Sequence, residues 1–171
     1  MGKTFTKEVV EAMTKLNPRP VIFALSNPTE HAECTAEEAY NWSGGKAVYA
    51  AGVQFPPVKL GGKTYLPTQA NNVYIFPSIC LAVYATESKR VPDELFIAAA
   101  KALGDQVSTH QLDQGLLLPP QKDILKIEIK TAITVAEKVF ELGLARIDKP
   151  ADVAKLVNAS LYKAEYEHTK K

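Results

Sequence analysis

The stretch from Arg19 to Tyr40 limits what this chain can fold into more than any other. Val21, Ile22, Phe23, Ala24 and Leu25 form an unbroken apolar run between Pro20 and Ser26. A short run of that kind, rich in β-formers, is the pattern of a strand covered on both faces, as in a parallel sheet. It stops abruptly at Ser26-Asn27-Pro28-Thr29. Thr35-Ala36-Glu37-Glu38 then predicts a helix start, with the Thr35 hydroxyl toward the Glu38 N–H and the Glu38 carboxylate reaching back. Ligands of open α/β sheets sit beyond the carboxyl ends of strands. The hydroxyl of Ser26 and the carboxamide of Asn27 are therefore the first candidates for binding.

The flanking sequence extends this unit. Thr6 to Leu16 reads as an amphipathic helix, with Val9, Val10 and Met13 at helical spacing and Thr6 as its N-cap. Asn17-Pro18-Arg19-Pro20 ends it and leads into the strand. A helix running into a buried strand is half of a βαβ unit. The strand before that helix would lie upstream of Met1, so the chain is expected to begin inside a domain. After the helix from Thr35 to Trp42, Gly44-Gly45 breaks the pattern and Lys46 to Ala50 gives a second strand, parallel to the first through the crossover. Val58 to Leu66 reads as a hairpin turning at Gly61-Gly62.

Gln69 to Pro77 places Asn71 and Asn72 directly before a helix from Phe76 to Thr86, which is apolar nearly all round and expected to be buried. Both carboxamides would then stand at its positive end, a natural place for a carboxylate. Beyond lie helices at Pro92–Leu103 and Gln106–Gln111, a rigid connector from Gly115 to Pro120, and the longest helix, Asp123–Leu142. That helix carries an apolar stripe through Ile129, Ala132, Ile133, Ala136, Val139 and Phe140, and Gly143 is its stop. A final helix is expected over Asp148–Ala159. The pattern thus shifts from α/β to all-α near Asn72: residues 1–72 read as a partial α/β domain and residues 73–171 as a helical segment packing on it.

Composition removes several functions. Twenty basic and nineteen acidic residues leave a net charge of +1, with no electrostatic footprint for nucleic acid or an anionic membrane surface. No apolar run of membrane-spanning length occurs, so no membrane partner is expected. No secretory signal stands at the start, and the expected location is intracellular, cytoplasmic or mitochondrial. Cys34 and Cys80 match no zinc spacing, and no Asp, Glu or His cluster has metal-ligand spacing. His31 and Cys34 share a loop, but nothing supplies the third group that orients a thiolate–histidine pair. Glu37 and Glu38 are adjacent on a helix and point apart. Asn27, Asn71 and Asn72 remain: either ordinary turn and cap residues, or amides that bind a carboxylate, a hydroxyl or a carboxamide without adding charge.

Four runs are also similar to a known family. Thr4 to Met13, Pro20-Val21-Ile22-Phe23-Ala24-Leu25-Ser26-Asn27-Pro28-Thr29, Ala32 to Tyr40, and Gln69-Ala70-Asn71-Asn72-Val73-Tyr74-Ile75-Phe76-Pro77 resemble the carboxyl-terminal part of malic enzymes. Gly115 to Pro120 and Leu161 to Tyr166 resemble later segments of the same family, in the same order. The resemblance implies a truncated Rossmann-like NAD(P)-binding domain, with crossover helices and an all-α C-terminal segment. It implies oxidative decarboxylation of malate to pyruvate and carbon dioxide, with NAD or NADP as cofactor and a Mg or Mn ion in the complete enzyme. A homo-oligomer is implied as well. By this resemblance Asn27, Asn71 and Asn72 bind substrate, and Ser26, Asn27 and Asn71 bind the nicotinamide end of the cofactor.

The departures are specific. The resemblance covers only the last third of a family member. The tyrosine and lysine of proton transfer, the acidic metal ligands and the glycine-rich loop belong to upstream segments. No catalytic residue and no metal ligand is therefore assigned to this chain, and none of Tyr40, Tyr49, Tyr65, Tyr74 or Tyr84 is promoted to the acid. The family's F-A-S-G-S-P-F is Tyr49-Ala50-Ala51-Gly52-Val53-Gln54-Phe55 here, which loses two hydroxyls. Its G-Q-G-N-N is Thr68-Gln69-Ala70-Asn71-Asn72, and the glycine after YIFP is Ser78. Two functions remain in play. One is a malic enzyme piece, catalytically incomplete alone. The other is a ligand-binding or subunit-interaction module derived from that fold.

Overall fold

The computed structural model of the protein describes residues 2–163. Helix α1 (Lys7–Leu16) follows Thr6, which takes the extended N-cap backbone but makes no side-chain cap bond. Strand β1 (Val21–Ala24) leads through a 3₁₀ turn at Thr29–His31 to helix α2 (Ala36–Trp42). Both halves of the expected capping box form: the Thr35 hydroxyl accepts from the Glu38 N–H at 3.1 Å, and the Glu38 carboxylate accepts from the Thr35 N–H at 2.8 Å.

Strand β2 (Val48–Ala51) pairs with β1 in parallel, from Val21↔Val48 to Ala24↔Ala51. Strands β3 (Val58–Leu60) and β4 (Lys63–Tyr65) form the expected antiparallel hairpin. Gly61 and Gly62 both have positive φ, +59° and +79°, as a two-residue type I′ turn requires. Strand β5 (Thr68–Gln69) adds parallel to β2, so the sheet order is β1-β2-β5. It was not expected, because two residues carry no period. The result is α/β with a parallel sheet, as the sequence predicts.

Helix α3 (Phe76–Thr86) is followed by α4 (Asp93–Gly104), α5 (Thr109–Asp113), α6 (Ile124–Glu141) and α7 (Val153–Ala159). Gly143, with φ +64°, lies just past α6 as expected. Helix α7 begins later than the predicted Asp148, because the Asp152 side chain caps it by accepting from the Lys155 N–H at 2.8 Å. The carboxyl-terminal part of the Leu161–Tyr166 segment lies outside the described residues.

The chain divides into two compact units, Met1–Tyr74 with Leu103–Ile124, and Ile75–Ala102 with Leu125 onward. The segment from Leu103 to Ile124, which the sequence groups with the helical part, thus belongs with the sheet. Buried contacts at long sequence separation hold it there. The Tyr74 hydroxyl donates to the Pro119 carbonyl at 2.7 Å, and the Leu117 N–H donates to the Thr68 hydroxyl at 2.7 Å.

Two expectations about burial fail. In β1 burial alternates: Ile22 and Ala24 are buried, whereas Val21 and Phe23 are 54% and 44% exposed. One face packs into a core with Val10, Ala36, Ala39 and Tyr49; the other lacks a cover among the described residues of this unit. Helix α3 is not buried all round. Ile79, Ala82 and Ala85 pack into the second core, with Leu95, Val135 and Val139, and Ser78 is buried as well, while Phe76, Cys80 and Tyr84 form an exposed stripe. An apolar sequence permits burial on every side but does not supply the neighbours.

Candidate functional site

Three strands end side by side, and their carboxyl ends bring together three loops. After β1 come Leu25, Ser26 and Asn27. After β2 comes Gly52. After β5 come Ala70, Asn71 and Asn72. The ladder continues past the strands: the Gly52 N–H donates to the Ala24 carbonyl at 2.9 Å, and the Ala70 N–H donates to the Ala51 carbonyl at 2.7 Å. Asn27 and Asn71 therefore follow the two outer strands of one parallel sheet, about 10 Å apart by ordinary strand spacing. This is the edge at which such sheets bind ligands.

Gly52 makes the edge tight. A Cβ there would sit 2.2 Å from the Leu25 carbonyl oxygen, so only glycine lets the β1 and β2 loops approach this closely. The Gln69 amide donates to the Gly52 carbonyl at 3.3 Å and ties the β5 end to the same turn.

Glu33 braces the first loop. Its carboxylate accepts from the Ser26 N–H at 3.2 Å and also from the Ser26 hydroxyl. Partial burial pulls the carboxyl's pKa upward, but the hydrogen bonds from Ser26 and the backbone outweigh it and hold the group below its ordinary range. Ser26 is thus committed to Glu33, and the exposed Asn27 is left facing solvent. Sequence reasoning missed Glu33, since an acid seven residues on in a polar loop carries no pattern. Gly52 did carry a signal, a glycine at a strand end, but only the structure shows what approaches it.

Asn71 and Asn72 are exposed, but not directly before a helix. A 3₁₀ turn, Asn72–Tyr74, comes first, and α3 begins at Phe76. The Asn71 carboxamide oxygen accepts from the Val73 N–H at 3.0 Å. That closes an Asx turn and leaves the NH₂ of Asn71 as the group available to a ligand. Their predicted place at the positive end of α3 is replaced by a place on the sheet edge.

The bland readings elsewhere are supported. His31 is exposed and Cys34 is buried. Burial, then the charges of Glu38 and Glu33, push the Cys34 thiol up to about 12, away from a nucleophilic thiolate. Burial likewise pushes the Tyr40 phenol up to about 12. Among the described residues no group of three or more His, Cys, Asp or Glu is arranged to hold a metal ion.

A family model described as "Malic enzyme, NAD binding domain" matches residues 1–140. The chloroplastic NADP-dependent malic enzyme of Oryza sativa subsp. japonica is 49% identical over 97% of this chain, and NADP-dependent malic enzyme 1 of Arabidopsis thaliana is 48% identical over the same share. This chain spans 26% and 29% of those two relatives. Crystal structures of malic enzymes from Entamoeba histolytica and Pyrococcus horikoshii Ot3 superpose with TM-scores of 0.73 and 0.69, covering 92% and 94% of this chain and 29% and 32% of theirs. Both are 22% identical and speak to the fold alone. No described helix is long and apolar enough to cross a membrane. With its parallel sheet, its carboxyl-edge amides and this similarity along its length, the chain belongs to the malic enzyme family, in the NAD-binding domain.

Proposed function

We propose that this chain supplies one wall of a site for malate and the nicotinamide end of NAD or NADP, and that turnover requires groups it does not carry. The observation that carries this is the shared carboxyl edge of β1, β2 and β5, where Asn27 and Asn71 present carboxamides in a chain of the malic enzyme family. An amide offers a donor and an acceptor without net charge. The exposed Asn27 suits both faces of a nicotinamide carboxamide. The Asn71 NH₂ suits a malate carboxylate, with Asn72 beside it. Ser26 acts through its bond to Glu33, which fixes the loop that carries Asn27. The cofactor, when bound, supplies the hydride acceptor. The relatives named above are NADP-dependent, and one is chloroplastic, a compartment beyond the cytoplasm or mitochondrion expected from the sequence.

The test is a ¹⁵N NMR titration of the 171-residue chain with NADP⁺ and malate, alongside an assay of malate-dependent reduction. The side-chain amides of Asn27 and Asn71 should shift saturably at millimolar ligand while turnover stays at background. Unmoved amides would sink the binding role. Robust turnover would sink the claim that catalytic groups lie elsewhere. A second reading, a non-catalytic subunit-interaction module, is favoured by one observation, the open apolar face of β1 at Val21 and Phe23. It expects a monodisperse complex by size exclusion and no amide shifts.

A further inference from the structure

The opposite edge of the same sheet carries a second concentration of chemistry. A hollow of about 460 Å³ opens at the amino ends of β1 and β2, lined by Arg19, Lys46, Lys63, Tyr65 and Asp113 among others. Its size lies in the range of small-ligand sites. We propose that it binds a compact phosphate anion bearing two or more negative charges, with Arg19, Lys46 and Lys63 as the cations.

The register brings the first two cations together. Val21 pairs with Val48, and the Val48 N–H donates to the Pro20 carbonyl at 2.8 Å. Arg19 and Lys46 each lie two residues before a residue of that pair, on neighbouring strands whose ordinary spacing is about 4.8 Å. Like charges at adjacent positions of this kind repel, and an anion between them would relieve the repulsion.

The third cation is exposed but leans on an aromatic ring of the same lining. The Lys63 ammonium lies 4.9 Å from the centroid of the Tyr65 ring. That ring is itself fixed by stacking on Tyr40, with centroids 4.6 Å apart, and by the close approach of Gly45, where a Cβ would fall 2.4 Å from the Tyr65 hydroxyl.

The charges are not already spent. Among the described residues the ion pairs are Lys7–Glu11, Lys138–Glu141 and Lys149–Glu137, and none engages the hollow. Asp113 is the single acid in its wall, so the lining carries three positive charges against one negative. The whole chain has a net charge of only +1, so the excess is local. An arginine beside two lysines suits phosphate oxygens, the guanidinium by its fork and the ammoniums as point charges.

The probe is inorganic tripolyphosphate, titrated into the full chain by calorimetry and by ¹⁵N NMR. Saturable one-to-one binding is expected, with shifts confined to Arg19, Lys46, Lys63 and their neighbours. R19Q and K46Q should each weaken it about tenfold, the loss of one charge-assisted hydrogen bond. D113N should tighten it roughly threefold, a gain that no unfolding artefact can mimic. K130Q, on the exposed face of α6, should change nothing. Equal affinity for a nucleoside triphosphate would support recognition of the phosphate group alone; a much tighter one would add the nucleoside to the ligand. Non-saturable binding, shifts spread over every lysine, equal affinity for citrate, or an unchanged affinity in R19Q and K46Q would overturn the proposal.

Discussion

Replacing Gly52 by alanine tests the geometry on which the candidate site depends. An added Cβ would meet the Leu25 carbonyl oxygen at 2.2 Å and its carbon at 2.8 Å, against 3.4 Å for an ordinary contact. The β1 and β2 loops would have to part by about 1 Å. The Gly52 N–H bond to the Ala24 carbonyl spans that gap at 2.9 Å. Losing or stretching one backbone bond costs about 1 kcal/mol, and forcing atoms into a packed site adds about 1–3 kcal/mol. A loss of about 3 kcal/mol is a large share of a domain's stability. The chain has one tryptophan, Trp42, packed against the core of the unit that contains Gly52. Its fluorescence in urea reports that unit, and at about 1–3 kcal/mol per molar of urea the midpoint should fall by about 1–3 M. Gly104, at the end of α4 with open space around its Cβ position, is the control, and alanine there should leave the midpoint in place or raise it slightly. A G52A midpoint within a few tenths molar of the parent would refute the claim that this close approach holds the edge together.

Three further outcomes follow from particular side chains. The Ser78 hydroxyl is fully buried with no hydrogen-bond partner; S78A should stabilise the chain by about 1 kcal/mol, seen as a rise of about 2–4 °C in the melting curve by circular dichroism. Tyr74→Phe removes the 2.7 Å bond to the Pro119 carbonyl and should cost about 1–2 kcal/mol, with amide exchange at Leu117 and Leu118 accelerated. Glu33 has a depressed pKa in the folded chain, so its contribution is full above its ordinary value and lost as pH falls through the folded one. The Ser26 amide signal should therefore titrate below pH 4.5, and E33Q should abolish that titration.

How much of this was legible depended on whether a feature is local. The capping box at Thr35 and Glu38 and the Gly61-Gly62 hairpin are complete within a few residues, and both form as their spacing dictates. The parallel pairing of β1 with β2 follows from a strand, a short helix and a strand. β5 could not be read, because its two residues become a strand only through β2. The same limit hid the brace from Glu33 to Ser26 and the return of Leu103–Ile124 to the sheet unit, both of which rest on contacts between separated segments. Asn27 and Asn71 were legible as amides at strand and turn ends. Their common edge required the order β1-β2-β5.

Strand β1 shows how a sequence pattern can exceed the structure around it. Val21 to Leu25 is written for a strand covered twice, yet Val21, Phe23 and Leu25 are exposed and β1 is the outer strand of its sheet. Selection for solubility ordinarily blunts such an edge with charge, proline or a bulge. Here Pro20 stands just before the strand and the strand itself carries none of these. An apolar face beside an open parallel edge favours association over solvation. The carboxyl end of that same strand leads to Asn27, in a loop that Glu33 braces through Ser26. A charge placed at Phe23 should weaken self-association, read by size exclusion, while leaving the hollow at Arg19 and Lys46 with its charges unchanged.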